Sequence, residues 1–199
     1  MKNTLKKVLC IGLCIIALFS LTGCSGNNEL TEENVRNTVD IAVEALKDFD
    51  EKKLEKYVDS ATLSYIIKFA NGHEQFADLG RAIFENLTVE ISSIDLENQT
   101  VTVEVLNKNL YSAASDFAEK LTSNYSGFQL LGKLGDDEFL DYNLGELVKS
   151  IDDSFMRVEP ISVVLKITQD KRNLVLSFNE EAEDAVSGGA LTAIKNIIG

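Results

Sequence analysis

At Leu87 the apolar residues of this chain change their spacing. Upstream they recur every three or four positions; Leu87, Val89 and Ile91 instead alternate with Thr88 and Glu90. A period near 3.6 puts apolar side chains on one stripe of a helix, and a period of two puts them on one face of a strand. The chain must therefore pass from helices into sheet at this point. The alternation loses phase at Ser92-Ser93 and resumes at Ile94 and Leu96, as at a β-bulge. Glu97-Asn98-Gln99 turns the chain, and Val101, Val103 and Val105 alternate back. This is a hairpin with one buried face. A second hairpin is read from Ile161, Val163, Leu165 and Ile167, a turn over Gln169 to Asn173, and Leu174, Leu176 and Phe178.

Helical patterning surrounds the hairpins. Thr31 is placed to cap a helix whose first turn holds Glu32 and Glu33, and whose stripe is Val35, Val39, Ala42, Leu46 and Phe49. Asp48-Phe49-Asp50 interrupts it. A second helix is expected to carry Leu54, Val58, Ala61 and Tyr65 inward, run to about Phe69 and stop at Asn71-Gly72. A third holds Phe76, Leu79, Ile83 and Leu87 on one face. Between the hairpins, residues 110–157 return to helical spacing. Phe117 and Leu121 belong to a first short helix, Leu130, Leu131 and Leu134 to a second, and Leu144, Leu147, Val148, Ile151 and Phe155 to a third that ends at Glu159-Pro160. A last helix from about Glu181 carries Val186, Ala190, Ile194 and Ile197. Segregated helices and hairpins predict an α+β fold, with helices packed on a curved antiparallel sheet and residues 110–157 as a helical insert between the hairpins. With no repeat and no Pro/Gly/Ser linker, residues 30–199 read as one domain.

The first residues read as an address. Lys2, Lys6 and Lys7 precede an apolar run from Val8 to Leu21, broken only by Gly12 and Ser20. As a helix that run is about 21 Å long, against the roughly 30 Å of a bilayer core. It is short for a permanent span and suits a secretory signal. It ends in Leu21-Thr22-Gly23-Cys24, which resembles the lipobox of bacterial lipoproteins. The resemblance implies cleavage after residue 23, a lipid on the thiol of Cys24, and attachment to the extracytoplasmic face of the cell membrane. The alternatives are a cleaved signal with an incidental cysteine and an uncleaved anchor helix. Residues 24–29 are small and polar, a tether. All three cysteines, Cys10, Cys14 and Cys24, lie at or before the cleavage point, so a packed core without disulfides must hold the remainder. Loss of residues 1–23 leaves 16 basic against 32 acidic residues, net −16. Such a body offers no basic face to nucleic acid, and anionic head groups would repel it.

The order of elements over Thr31 to Val105 resembles the cystatin-like/NTF2-like fold: a long helix, a short acidic break at Asp48-Phe49-Asp50, Leu54-Glu55-Lys56-Tyr57-Val58 on the next helix, then a hairpin. The whole mature chain is similar to small uncharacterised lipoproteins of Gram-positive bacteria, through Tyr57-Val58-Asp59, Asn173-Leu174-Val175-Leu176-Ser177-Phe178 and Ala185-Val186-Ser187-Gly188-Gly189-Ala190. The likeness implies fold and location. The insert departs from it, being larger than the family's usual connection, and would plug or roof the mouth of the cone that helix and curved sheet form in that fold.

Chemistry-bearing motifs are sparse. His73 is the one histidine and reads as an exposed loop residue, without the further ligands or nucleophile that a metal site or catalytic pair would need. Asp136-Asp137-Glu138 with Asp141 lacks the spacing of a calcium loop and reads as a helix N-terminus, as do Asp152-Asp153 and Glu180-Glu181-Glu183-Asp184. Gly188-Gly189 sits inside an apparent helix, where close packing explains it better than a phosphate loop does; Gly80 has the same reading. Tyr57, Tyr65, Phe69, Phe76 and Phe84 could line a pocket, though at helical spacing they read first as core. No cofactor or metal motif is found.

The expected function is a non-catalytic binding or interaction module held at the membrane through Cys24. The candidate contact residues are Tyr125, Phe128, Phe139 and Tyr142 on the insert, facing a protein or peptide partner. The alternative is an NTF2-like enzyme or small-ligand-binding protein that uses an acid inside the cone. A monomer or weak dimer is expected.

Overall fold

A computed structural model describes residues 29–70 and 72–198; the expected signal segment and Cys24 lie outside the described residues. Helix α1 (Glu32–Asp48) starts where Thr31 Oγ1 accepts the Asn34 amide at 3.2 Å, and buries Val35, Val39, Ala42 and Leu46. It ends at Phe49, which takes a left-handed φ of 49°. That conformation is uncommon for a residue with a side chain, and packing holds it here. The ring is buried, and a Cβ on Gly80 would sit inside it. The close-packing reading of Gly80 therefore holds.

Asp50 caps α2 (Glu51–Tyr57). The long second helix expected from the spacing is broken. Val58–Asp59 forms a two-residue strand, β1, and Ser60 then restarts the helix as α3 (Ala61–Ala70) by accepting the Leu63 amide on its hydroxyl at 3.0 Å. The restart shifts the helical phase. Leu63 and Ile67 take the buried positions, and Tyr65 is 65% exposed rather than inward. Helix α4 (Glu74–Phe84) follows; Leu87 lies past its end but is fully buried.

The remaining strands are β2 (Thr88–Asp95), β3 (Thr100–Leu106), β4 (Ile161–Gln169) and β5 (Leu174–Ser177), in spatial order β1-β5-β4-β3-β2. Both expected hairpins form. The register shifts between Ile91 and Ser93, where the phase of the sequence slips. The sheet is not wholly antiparallel, however: Val58 pairs with Leu176 and Asp59 with Ser177 in parallel, so it is mixed. Val101, Val103, Val105, Val163, Leu165 and Ile167 are almost fully buried and form one core with the inner face of α1. The chain is an α+β protein, with nine helices among the described residues.

Three helices connect β3 to β4: α5 (Tyr111–Asn124), α6 (Gly127–Lys133) and α7 (Asp137–Asp152). Lys108 Nζ donates to the carbonyls of Ile151 at 3.1 Å and Asp152 at 3.0 Å, closing α7 there. A cation belongs at that end of a helix. Phe155, expected on the buried face of this helix, lies beyond it and is 86% exposed. The last segment is two helices rather than one, α8 (Glu180–Val186) and α9 (Ala190–Ile198). Gly188 and Gly189 form the corner, with φ of 64° and 87°. The glycines are there because the backbone turns left-handed, a conformation that other residues adopt at a cost. The Gly188 carbonyl accepts the Leu110 amide at 2.9 Å, which fixes the corner to the start of the insert. Ala113 and Ala114 of α5 then pack with Ala190 and Ala193 of α9, beside Leu147 and Ile151 of α7, as a second apolar cluster.

Candidate functional site

The two apolar clusters do not close completely on each other. Between them lies a cavity of about 250 Å³. Leu46 and Phe49 from the end of α1, Ile83 of α4, Ala114 of α5, Leu147 of α7 and Ile194 of α9 contribute to its wall. The small side chains that bring α5 and α9 together leave space on the side facing α3 and α4. Ile66, Leu79, Leu191 and Ile194 are only half-buried and mark its more open side. By contrast, the gap between α1 and the inner face of the sheet is about 10 Å³. The space inside the fold thus lies between helices, with the insert as one wall.

Four polar residues border the cavity, Ser60, Thr62, Glu183 and Ser187, but its surface is almost wholly apolar. Glu183 is buried, 8% exposed. Its Oε1 accepts a short hydrogen bond from the Ser60 hydroxyl and another from the Thr62 amide at 3.2 Å, and its Oε2 accepts the Thr62 hydroxyl at 2.7 Å. The local sequence explains the arrangement. A helix N-terminus leaves amides unpaired and attracts negative charge, yet the first turn of α3 contains no acid. Leu63 stands where a capping box would place Glu or Gln. Glu183 supplies the missing carboxylate from α8. Ser187 is occupied locally, its hydroxyl donating to the Asp184 carbonyl at 3.1 Å.

The residues singled out from sequence fall elsewhere. On the insert, Phe128 is 88% and Tyr142 63% exposed. Tyr125 and Phe139 pack edge to face, with centroids 5.5 Å apart. Lys120 lies 4.8 Å over the Tyr142 ring and Lys133 5.3 Å over that of Phe139. The four aromatics therefore divide into two outward rings and one packed pair. Of the possible pocket aromatics, Phe76 and Phe84 line the cavity, while Tyr65 and Phe69 face solvent.

His73 lies in the loop before Glu74, as expected, but is partly buried rather than exposed. It stands at the N-cap of α4, with Nδ1 2.9 Å from Asp137 Oδ1, and so ties α4 to the start of α7. Asp136 caps α7 as the sequence implied. The Lys133 ammonium and the Phe139 amide hold its carboxyl below the usual carboxylate range. Among the described residues, no three His, Cys, Asp or Glu side chains are grouped to hold a metal ion. No described helix is long and apolar enough to cross a membrane.

Sequence reasoning saw Glu183 only as one of four acids opening a helix. The signal that could have singled it out is the acid-free first turn after Ser60, which needs a carboxylate from another part of the chain. The chain matches no family model, and no curated protein or solved structure was found similar to it.

Proposed function

We propose that this protein is a non-catalytic, lipid-anchored binding module that holds a small apolar ligand in the cavity between its helical layers. The cavity carries the reading. Left unfilled, an apolar space of 250 Å³ forfeits packing worth at most about 6 kcal/mol at roughly 24 cal/mol per Å³. That is comparable to the whole stability of a domain, about 5–15 kcal/mol. Interiors are normally packed to crystal density, so a space of this size is more simply kept for an occupant. Binding is preferred to catalysis because the one carboxylate on the wall is already committed to three hydrogen bonds. We assign the anchor to Cys24 on the strength of the lipobox alone, and the fold to the cystatin-like/NTF2-like group on the order of its elements.

A native mass spectrum of protein purified from its own host is expected to show a retained apolar molecule. Titration with indole, whose nine heavy atoms suit about 250 Å³ and whose fluorescence stands alone in a chain without tryptophan, is a second test. Filling the space by Leu79→Phe, at a half-buried position of the wall, is expected to weaken probe binding at least about tenfold. Unchanged probe affinity in that variant would refute the cavity as the site.

A second reading rests on α6. This seven-residue helix buries none of its residues and exposes Phe128 and Leu131, at 88% and 69%. Such a pair on the insert suits contact with a protein partner. Crosslinking from position 128 in cells tests it; no specific adduct there would remove this reading.

A further inference from the structure

We propose that residues 155–159 form a docking edge for an extended peptide of a partner protein, one that carries apolar residues between basic ones. The proposal is independent of the cavity. It starts from apolar side chains that the fold leaves in water. Phe155 is 86%, Met156 41% and Val158 97% exposed. Three large apolar residues within four positions make a patch of the kind that marks a contact surface.

The backbone beneath them is set to receive a strand. Met156 pairs with Lys108 as an isolated antiparallel bridge outside the five strands. The bonds that hold the bridge flank it. The Asn109 amide donates to the Phe155 carbonyl at 2.8 Å, and the Arg157 amide donates to the Asn107 carbonyl at 3.0 Å. Met156 and Lys108 are thus a non-hydrogen-bonded pair, in which the main-chain groups of each residue point away from the other. The N–H and C=O of Met156 therefore lie on the outer side, and neither has a partner among the described residues. An added strand would take both, as main-chain pairing at a sheet edge does. The edge is short. It lies between the end of α7 at Asp152 and Pro160, which has no N–H to offer, so it accepts one peptide and does not extend the sheet.

Charge decides the kind of peptide. Asp152, Asp153 and Glu159 are exposed on either side of the apolar residues. None of the three is in an ion pair among the described residues. The nearby cations are turned elsewhere: Lys108 Nζ is held by the carbonyls of Ile151 and Asp152, and the Arg157 guanidinium lies against Gly189. Opposite charges across an interface steer encounter and fix register. Lysine or arginine on either side of an apolar stretch therefore complements this edge. A second copy of the chain, with a net charge of −13, does not. Anionic head groups would meet the same acids, which disfavours a membrane surface as the occupant.

The test uses a fluorescein-labelled hexapeptide of alternating valine and threonine between two lysines, with binding to the full-length chain read as anisotropy. Combining Phe155→Ser with Val158→Ser should weaken binding at least about tenfold. Methylating every backbone nitrogen of the peptide should do the same, because it removes the donors of a strand. Glutamates in place of the two lysines should also cost about tenfold. Met156→Pro deletes the outward N–H while leaving both bonds of the bridge, and should weaken the unmethylated peptide; if that variant does not fold, the methylated peptide decides alone. Equal binding of the methylated peptide overturns strand addition. Equal binding of the glutamate peptide overturns the basic partner, and equal binding by the double serine variant overturns the site. No binding up to about 1 mM overturns the proposal outright. If the double variant then attaches less to vesicles of phosphatidylcholine and phosphatidylglycerol, this face is a membrane contact instead.

Discussion

Replacing Gly188 by alanine should damage this protein far more than the same change one residue later. Both glycines have positive φ, 64° and 87°, and an alanine at either pays a backbone cost of roughly 1–2 kcal/mol. Their neighbours differ. A Cβ on Gly188 would overlap the Lys108 carbonyl oxygen, which is backbone, anchored by the insert and unable to swing away. A Cβ on Gly189 would meet the end of the Arg157 side chain, which can rotate. Overpacking against fixed atoms adds about 1–3 kcal/mol. We therefore expect Gly188→Ala to cost about 3–4 kcal/mol and Gly189→Ala about 1–2 kcal/mol. At about 2–4 °C per kcal/mol for a chain of this size, the two melting temperatures should differ by roughly 4–8 °C. Urea unfolding followed by circular dichroism measures the same difference. Because Gly188 also holds the Leu110 amide, its variant should lose probe binding in step with stability. Equal destabilisation by the two substitutions, within about 0.5 kcal/mol, would show that the Lys108 carbonyl does not set the cost.

Gly80→Ala should lower stability by about 1–2 kcal/mol, because the expulsion of the Phe49 ring outweighs the helix-propensity gain of roughly 1 kcal/mol; a rise in melting temperature would contradict this. Asp95, Asp136 and Glu146 are held below the usual carboxylate range by hydrogen bonds from Asn98, Lys133 and Lys149. A lowered folded-state value means the stability is present above the unfolded value and lost as pH falls through the folded one. Asp136→Asn should therefore flatten the fall in melting temperature below about pH 4 while lowering it at neutral pH; an unchanged acid slope would exclude Asp136. Cys24→Ala should abolish incorporation of an alkyne fatty acid and release the protein from membranes, and equal labelling of both forms would sink the anchor assignment.

Much of the fold can be read from periodicity, because a stripe or an alternation is a local record of burial. The helix over Val35 to Leu46 and both hairpins, with the slip at Ser92, are legible in this way. The break at Val58–Asp59 is not. Those residues fit a helical stripe equally well, and only the free edge of β5, more than 110 positions away, makes a strand of them. The two glycines were visible in the sequence, but a corner and a packed helix place the same demand on composition. The cavity is the least legible feature. Its wall draws on six or more elements, and a missing contact leaves no mark in the pattern of residues that surround it. The role of Glu183 was hidden for a related reason: an acid in the first turn of α8 already has a sufficient local explanation.

The bulge in β2 bears on how copies of this protein behave beside one another. β2 is the long free edge of the sheet, and at the opposite edge β1 offers only two residues. Unpaired edges invite strand-to-strand addition. Here the bulge at Ser92 kinks the ladder midway, and Glu90 sits directly across from Glu104, so the strand already carries paired negative charge. A second chain adding to this edge would have to straighten the kink and bring further carboxylates alongside. The sheet is thus closed to growth at both ends, which would keep crowded copies from joining into fibres.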